Sequence, residues 1–123
     1  MFSTTSLNVR TSDGRNMSLL DAFTYTSKTG RVITVPVGAT SDGASTPREI
    51  WSFIPPFGIY WMAAFLHDYL YRSTDLPKDV CDALLREAME DLCVDHIELL
   101  AIYDGVALGG QSSFDEDRSA QAS

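Results

Sequence analysis

An α+β domain is predicted from three features of the 123-residue sequence. Two β-rich stretches lie together toward the N-terminus, a loop dense in Gly, Asp, Ser and Pro follows, and the apolar pattern then changes to helical spacing. The predicted order is a β-hairpin, a structured Asp-Gly loop and three helices, of which the first two form an antiparallel pair.

Leu19 to Thr26 and Arg31 to Val37 are rich in β-branched and aromatic residues, and the S-K-T-G connection between them supplies the glycine of a tight turn. They read as the hairpin. The loop V-G-A-T-S-D-G-A-S-T-P comes next, with Pro47 placed to restart the chain. Trp61 to Tyr71 is apolar almost all round, the pattern of a helix buried on most faces. Its polar members Trp61, His67, Asp68 and Tyr71 therefore need partners. Pro77 suits the first turn of a second helix, whose Cys81, Leu84, Leu85, Ala88, Met89 and Leu92 form a stripe at helical spacing, with Asp82 and Asp91 at its borders.

A third helix begins near Asp95, which with Glu98 three positions on resembles a capping box, and it runs to the stop at Gly109-Gly110. Residues 1 to 110 thus read as one compact domain. Residues 111 to 123 hold a single aromatic, Phe114, amid Ser, Asp, Glu and Gln, and read as an acidic, solvated tail that orders only against a partner.

Composition narrows the function classes. With 45% hydrophobic residues the chain can bury a modest core without disulfides or structural metal. Cys81 and Cys93, separated by roughly 18 Å on one helical pattern, cannot pair there, so both read as thiols of a reducing compartment. A formal net charge of −8 disfavours nucleic acid as a partner, because phosphate-backbone binding depends on basic side chains. The N-terminus M-F-S-T-T-S-L-N-V-R has no signal-peptide pattern. The most apolar stretch, Ile50 to Leu66, is broken by Pro55, Pro56 and Gly58 and is shorter than the roughly 20 residues of a transmembrane helix.

The chemistry-bearing residues gather around the first helix pair. If the R-S-T-D-L-P-K connection closes an antiparallel hairpin, its midpoint falls between Thr74 and Asp75, and His67 and Asp82 stand equally far from it. They should face each other. A carboxylate that orients one ring nitrogen leaves the other to take a proton, which is hydrolytic machinery; a satisfied buried polar network has the same signature. Asp42-Gly43 reads either as a self-bonded turn or as a source of hard oxygen ligands. His96 has no matched partner and reads as a surface or capping residue. The segment W-S-F-I-P-P-F-G-I-Y-W, with Phe57 at its centre, reads as an acyl-chain entrance, a protein-docking patch or core.

The motifs S-D-G-A-S-T-P, H-D-Y-L-Y-R, D-A-L-L-R-E-A-M and I-Y-D-G-V resemble, in order, the helical core of phospholipases A2, especially the small prokaryotic and fungal kind. Residues 19 to 110 also resemble, more densely, a phage and prophage family of unknown function, DUF1353, through V-P-x-G-x-x-x-D-G-A-S-x-P-R, a Trp and H-D-Y-L-Y-R. The phospholipase resemblance implies a calcium-assisted hydrolase of phospholipid or another ester. It makes His67 the general base, Asp82 the holder of its imidazole, Tyr71 a hydrogen-bonding support, and Asp42, Asp68 and the Gly43 carbonyl the calcium ligands. The phage resemblance implies a viral protein, placed in the host cytoplasm during infection or in the virion. Its alternative role is a non-enzymatic tail, neck or capsid component that contacts other phage structural proteins.

Overall fold

In the computed structural model, the described residues are 1–4, 8–11, 17–41, 60–93, 95–109 and 111–122. Strand β3 (Phe23–Thr26) pairs antiparallel with β4 (Val32–Val35), with Phe23 opposite Val35 and Tyr25 opposite Ile33. Alternation sends those four side chains into the core and leaves Val32 and Thr34 outside. Gly30, at φ +88°, closes the turn, where Ser27 N–H donates to the Arg31 carbonyl at 2.8 Å. On the other edge of β3 the N-terminus adds backbone bonds, including Ser3 N–H to Thr24 O at 2.8 Å.

A second, three-stranded antiparallel sheet has the order β1 (Val9–Thr11), β2 (Met17–Leu19), β5 (Thr40–Ser41). Sequence patterning predicts one strand from Leu19 to Thr26. The chain instead breaks at Leu20 and Asp21, so that Leu19 belongs to one sheet and Phe23 to the other. The apolar residues remain inside because Met17, Leu19, Phe23 and Tyr25 are all buried.

Helix α1 (Tyr60–Ser73) is the central rod, packed against α2, α4, β4 and β5. From Trp61 to Tyr71 only Tyr69 is less than fully buried, as an all-round apolar pattern requires. A truncation such as Leu70→Ala, at a fully buried position, would cost about 2–5 kcal/mol. Pro77 is the N-cap of α2 (Lys78–Asp91), one position before the predicted first turn, with φ −60° and ψ 152°. The predicted stripe is buried from Cys81 to Met89, and Leu92 is the C-cap. Cys93 follows at φ +58°, a left-handed residue that ends the helix.

Helix α3 (His96–Gly109) starts where the sequence places it, with the Asp95 carboxylate accepting from Ile97 N–H at 3.0 Å. Gln111–Ala122 then form a fourth helix, α4, against α1 and α3, where composition predicts a solvated tail. Phe114 and Arg118, one turn apart, are its anchors. Phe114 meets the Tyr71 ring edge-on at 5.1 Å, and Arg118 donates to three main-chain carbonyls of the α1–α2 corner. Among the described residues the architecture is therefore α+β, with N-terminal antiparallel strands followed by four helices. Among the described residues no helix is long and apolar enough to cross a membrane.

Candidate functional site

Helix periodicity assembles the site. His67 and Tyr71 are four residues apart on the face of α1 that meets α2, while Lys78 and Asp82 are four apart on α2. His67 Nε2 lies 2.8 Å from Asp82 Oδ1, the Tyr71 hydroxyl donates to the same oxygen at 2.6 Å, and Lys78 Nζ donates to Oδ2 at 2.7 Å. The imidazole is 2% exposed and Asp82 3%. The facing of His67 and Asp82 inferred from the hairpin midpoint is thus a direct hydrogen bond.

Burial alone would raise the Asp82 pKa, but hydrogen bonds from His67, Lys78 and Tyr71 outweigh it and hold the carboxyl below its ordinary range. Asp82 is consequently an ionised, acceptor-only group, which requires His67 Nε2 to carry the proton and donate it. With a proton on Nε2, Nδ1 is the ring nitrogen left to accept one, and no hydrogen-bond partner for it is found among the described residues. Burial, then the neighbouring Asp82, push the Tyr71 phenol far up, so Tyr71 is a neutral donor. Its ring tilts against the imidazole with centroids 4.2 Å apart, which restrains ring rotation.

Asp68, the next residue on α1, turns away from α2 toward β5. Its Oδ2 accepts from the Ser41 hydroxyl at 2.5 Å, and Asp68 is 2% exposed. Ser41 is the residue before Asp42, so the chain enters the Asp-Gly loop beside the Asp68 carboxylate. Asp42 and Gly43 themselves lie outside the described residues, as do Pro47, Phe57 and most of the W-S-F-I-P-P-F-G-I-Y-W segment. Among the described residues no group of three or more His, Cys, Asp or Glu side chains converges on one point. Of the three calcium ligands expected from the sequence, Asp68 is the one among the described residues, a buried carboxylate whose Oδ2 is engaged by the Ser41 hydroxyl.

The α1–α2 corner below this site is held by Arg118, which donates to the carbonyls of Tyr71 at 2.8 Å, Leu70 at 3.2 Å and Leu76 at 2.5 Å. Its guanidinium stacks over Phe114 at 4.6 Å. Burial pushes the neighbouring Cys81 thiol up to about 11 despite the opposing pull of Arg118, so Cys81 is an inert core thiol. Arg72 pairs with Asp117 at 3.5 Å and donates to the Thr40 carbonyl at 2.8 Å. His96 is exposed at the start of α3.

Three contacts in and beside this network escape sequence reading. Lys78 was signalled by its i,i+4 spacing to Asp82. Ser41 was signalled only by preceding Asp-Gly, and Arg118 by its spacing to Phe114. The chain matches, over residues 17–106, the profile of a family described as "Protein of unknown function (DUF1353)". Among curated proteins and among solved structures, nothing matches it.

Proposed function

Given that the chain belongs to the DUF1353 family of proteins of unknown function, we propose that it is a phospholipase A2-like hydrolase in which His67 is the general base. The observation that carries this reading is the bond from Nε2 to Asp82, which fixes the tautomer and leaves Nδ1 as proton acceptor. Water held at Nδ1 gives its proton to the ring as its oxygen attacks the ester carbonyl carbon. Asp82 stabilises the imidazolium so formed. The same nitrogen returns the proton to the departing alcohol when the carbon–oxygen bond breaks. Tyr71 and Lys78 hold Asp82 in place throughout. Calcium, bound by Asp68, Asp42 and the Gly43 carbonyl, would polarise the ester carbonyl and stabilise its developing negative charge.

The test is hydrolysis of a short-chain phospholipid by purified protein, with calcium or with chelator, beside His67→Ala. Loss of a general base lowers the rate by about 10²–10⁴-fold. Equal activity in His67→Ala removes the hydrolase reading.

One observation favours a second reading. Lys78 neutralises Asp82, and the resulting network touches α1, α2 and α3 with both carboxylate oxygens occupied, as in a polar node that fixes helix packing. On that reading the protein is a non-enzymatic phage virion or assembly component. Its test is co-sedimentation with phage particles, lost on replacing Phe57; only free protein in infected cells would count against it.

A further inference from the structure

Lys78 stands where helix chemistry alone disfavours it. It is the first residue of α2, at the positive end of the helix dipole, and it precedes its acidic partner in the less favourable i,i+4 order. Its surroundings explain the placement. Nζ donates to Asp82 Oδ2 at 2.7 Å, to the Val106 carbonyl at 3.1 Å and to the Ala107 carbonyl at 3.3 Å, so all three of its donors are used. Those carbonyls belong to the last turns of α3, the negative end of that helix. The side chain is 13% exposed, which sets this pair apart from the open Arg86–Glu90 pair on the same helix.

Asp82 divides its acceptors accordingly. Oδ1 serves α1, through His67 and Tyr71, and Oδ2 serves Lys78. From this geometry we infer that Lys78 is a positioning residue of the proposed hydrolase: it holds Asp82 as an ionised acceptor with Oδ1 toward α1, and thereby fixes His67 as the Nε2–H tautomer. The catalytic consequence rests on the hydrolase reading, whereas the tautomer rests on the hydrogen bonds alone. Without Lys78, Oδ2 is a buried carboxylate oxygen stripped of its donor and its compensating charge. The carboxyl relieves this by turning away or by taking up one proton from solvent. A protonated Asp82 donates its O–H to Nε2, and the ring proton moves to Nδ1. The acceptor that would take a proton from water is then gone.

The experiment is a long-range proton–nitrogen correlation spectrum of the histidine rings in protein labelled with nitrogen-15 at histidine. The chain has 2 histidines, and exposed His96 serves as the internal reference for His67. Wild-type protein is expected to show His67 as Nε2–H, Lys78→Met to shift it to Nδ1–H or a mixture, and Lys78→Arg to restore the original pattern. In ester hydrolysis Lys78→Met should lower kcat by about 10²-fold or more with KM little changed, and Lys78→Arg should recover most of it. A persistent Nε2–H pattern in Lys78→Met overturns the inference. Should that variant fail to fold, Lys78→Leu, which also removes both the donor and the charge, is read in the same way. Wild-type protein that shows the expected tautomer yet cleaves no ester removes the hydrolase reading, and the spectra still decide the role of Lys78.

Discussion

Replacing Tyr71 by Phe removes one hydrogen bond and almost nothing else. The ring is fully buried, tilted on His67 at 4.2 Å and met by Phe114 at 5.1 Å, and phenylalanine preserves both contacts and leaves no cavity worth counting. What disappears is a 2.6 Å donation to an ionised carboxylate. Hydrogen bonds to charged groups contribute about 1.5–3 kcal/mol. Because His67 and Lys78 still satisfy Asp82, a value toward the lower end, about 2 kcal/mol, is expected. For a domain of this size that lowers Tm by roughly 6–10 °C. Urea unfolding followed by circular dichroism is the assay, with a lower midpoint and an unchanged m-value. In a double-mutant cycle with Lys78→Met, the two losses should depart from additivity by more than about 0.5 kcal/mol, since both act on one carboxylate. A loss under about 0.5 kcal/mol for Tyr71→Phe, with strict additivity, would refute the view that Asp82 is the shared acceptor.

Arg118→Met keeps most of the stem while taking donors from three carbonyls, and should cost about 1–3 kcal/mol; hydrogen exchange should show α4 opening before α2, and unchanged α4 protection would contradict its anchoring role. Acid dependence has a definite sign. Because Asp82 is held below its unfolded pKa of about 4, its contribution is full above that pH and is lost as pH falls through the lower folded value. The Tm difference between wild type and Asp82→Asn should therefore narrow only below about pH 4; a difference that ignores pH would sink this account.

The parts of the fold legible in sequence are those carried by strong periodicity. The apolar stripe of α2, the all-round burial of α1 and the Asp95 cap of α3 each express a local rule that tertiary packing did not override. The His67–Asp82 contact was legible because a short antiparallel connection relates residues symmetrically about its centre. Strands β1, β2 and β5 escaped because elements of two or three residues are too short to show alternation. Helix α4 escaped for a different reason. Its polar composition gives no stripe, and its docking draws on one aromatic, the Arg72–Asp117 pair and one guanidinium whose acceptors are 42 to 48 residues away in the chain. Lys78 was overlooked because an i,i+4 pair on a helix looks the same in sequence whether it faces solvent or the core.

The corner secured by Arg118 also bears on the order of assembly. The imidazole and its carboxylate are 15 residues apart and joined by a tight hairpin, whereas Arg118 closes a loop of 47 residues to Tyr71. Closing the longer loop costs more entropy, so the helical hairpin can bring acid and base together while α4 is still seeking its seat. A kinetic probe on His67 would report the early event and one on Phe114 the late one. Stabilising α4 would then chiefly slow unfolding and leave the speed of folding nearly unchanged.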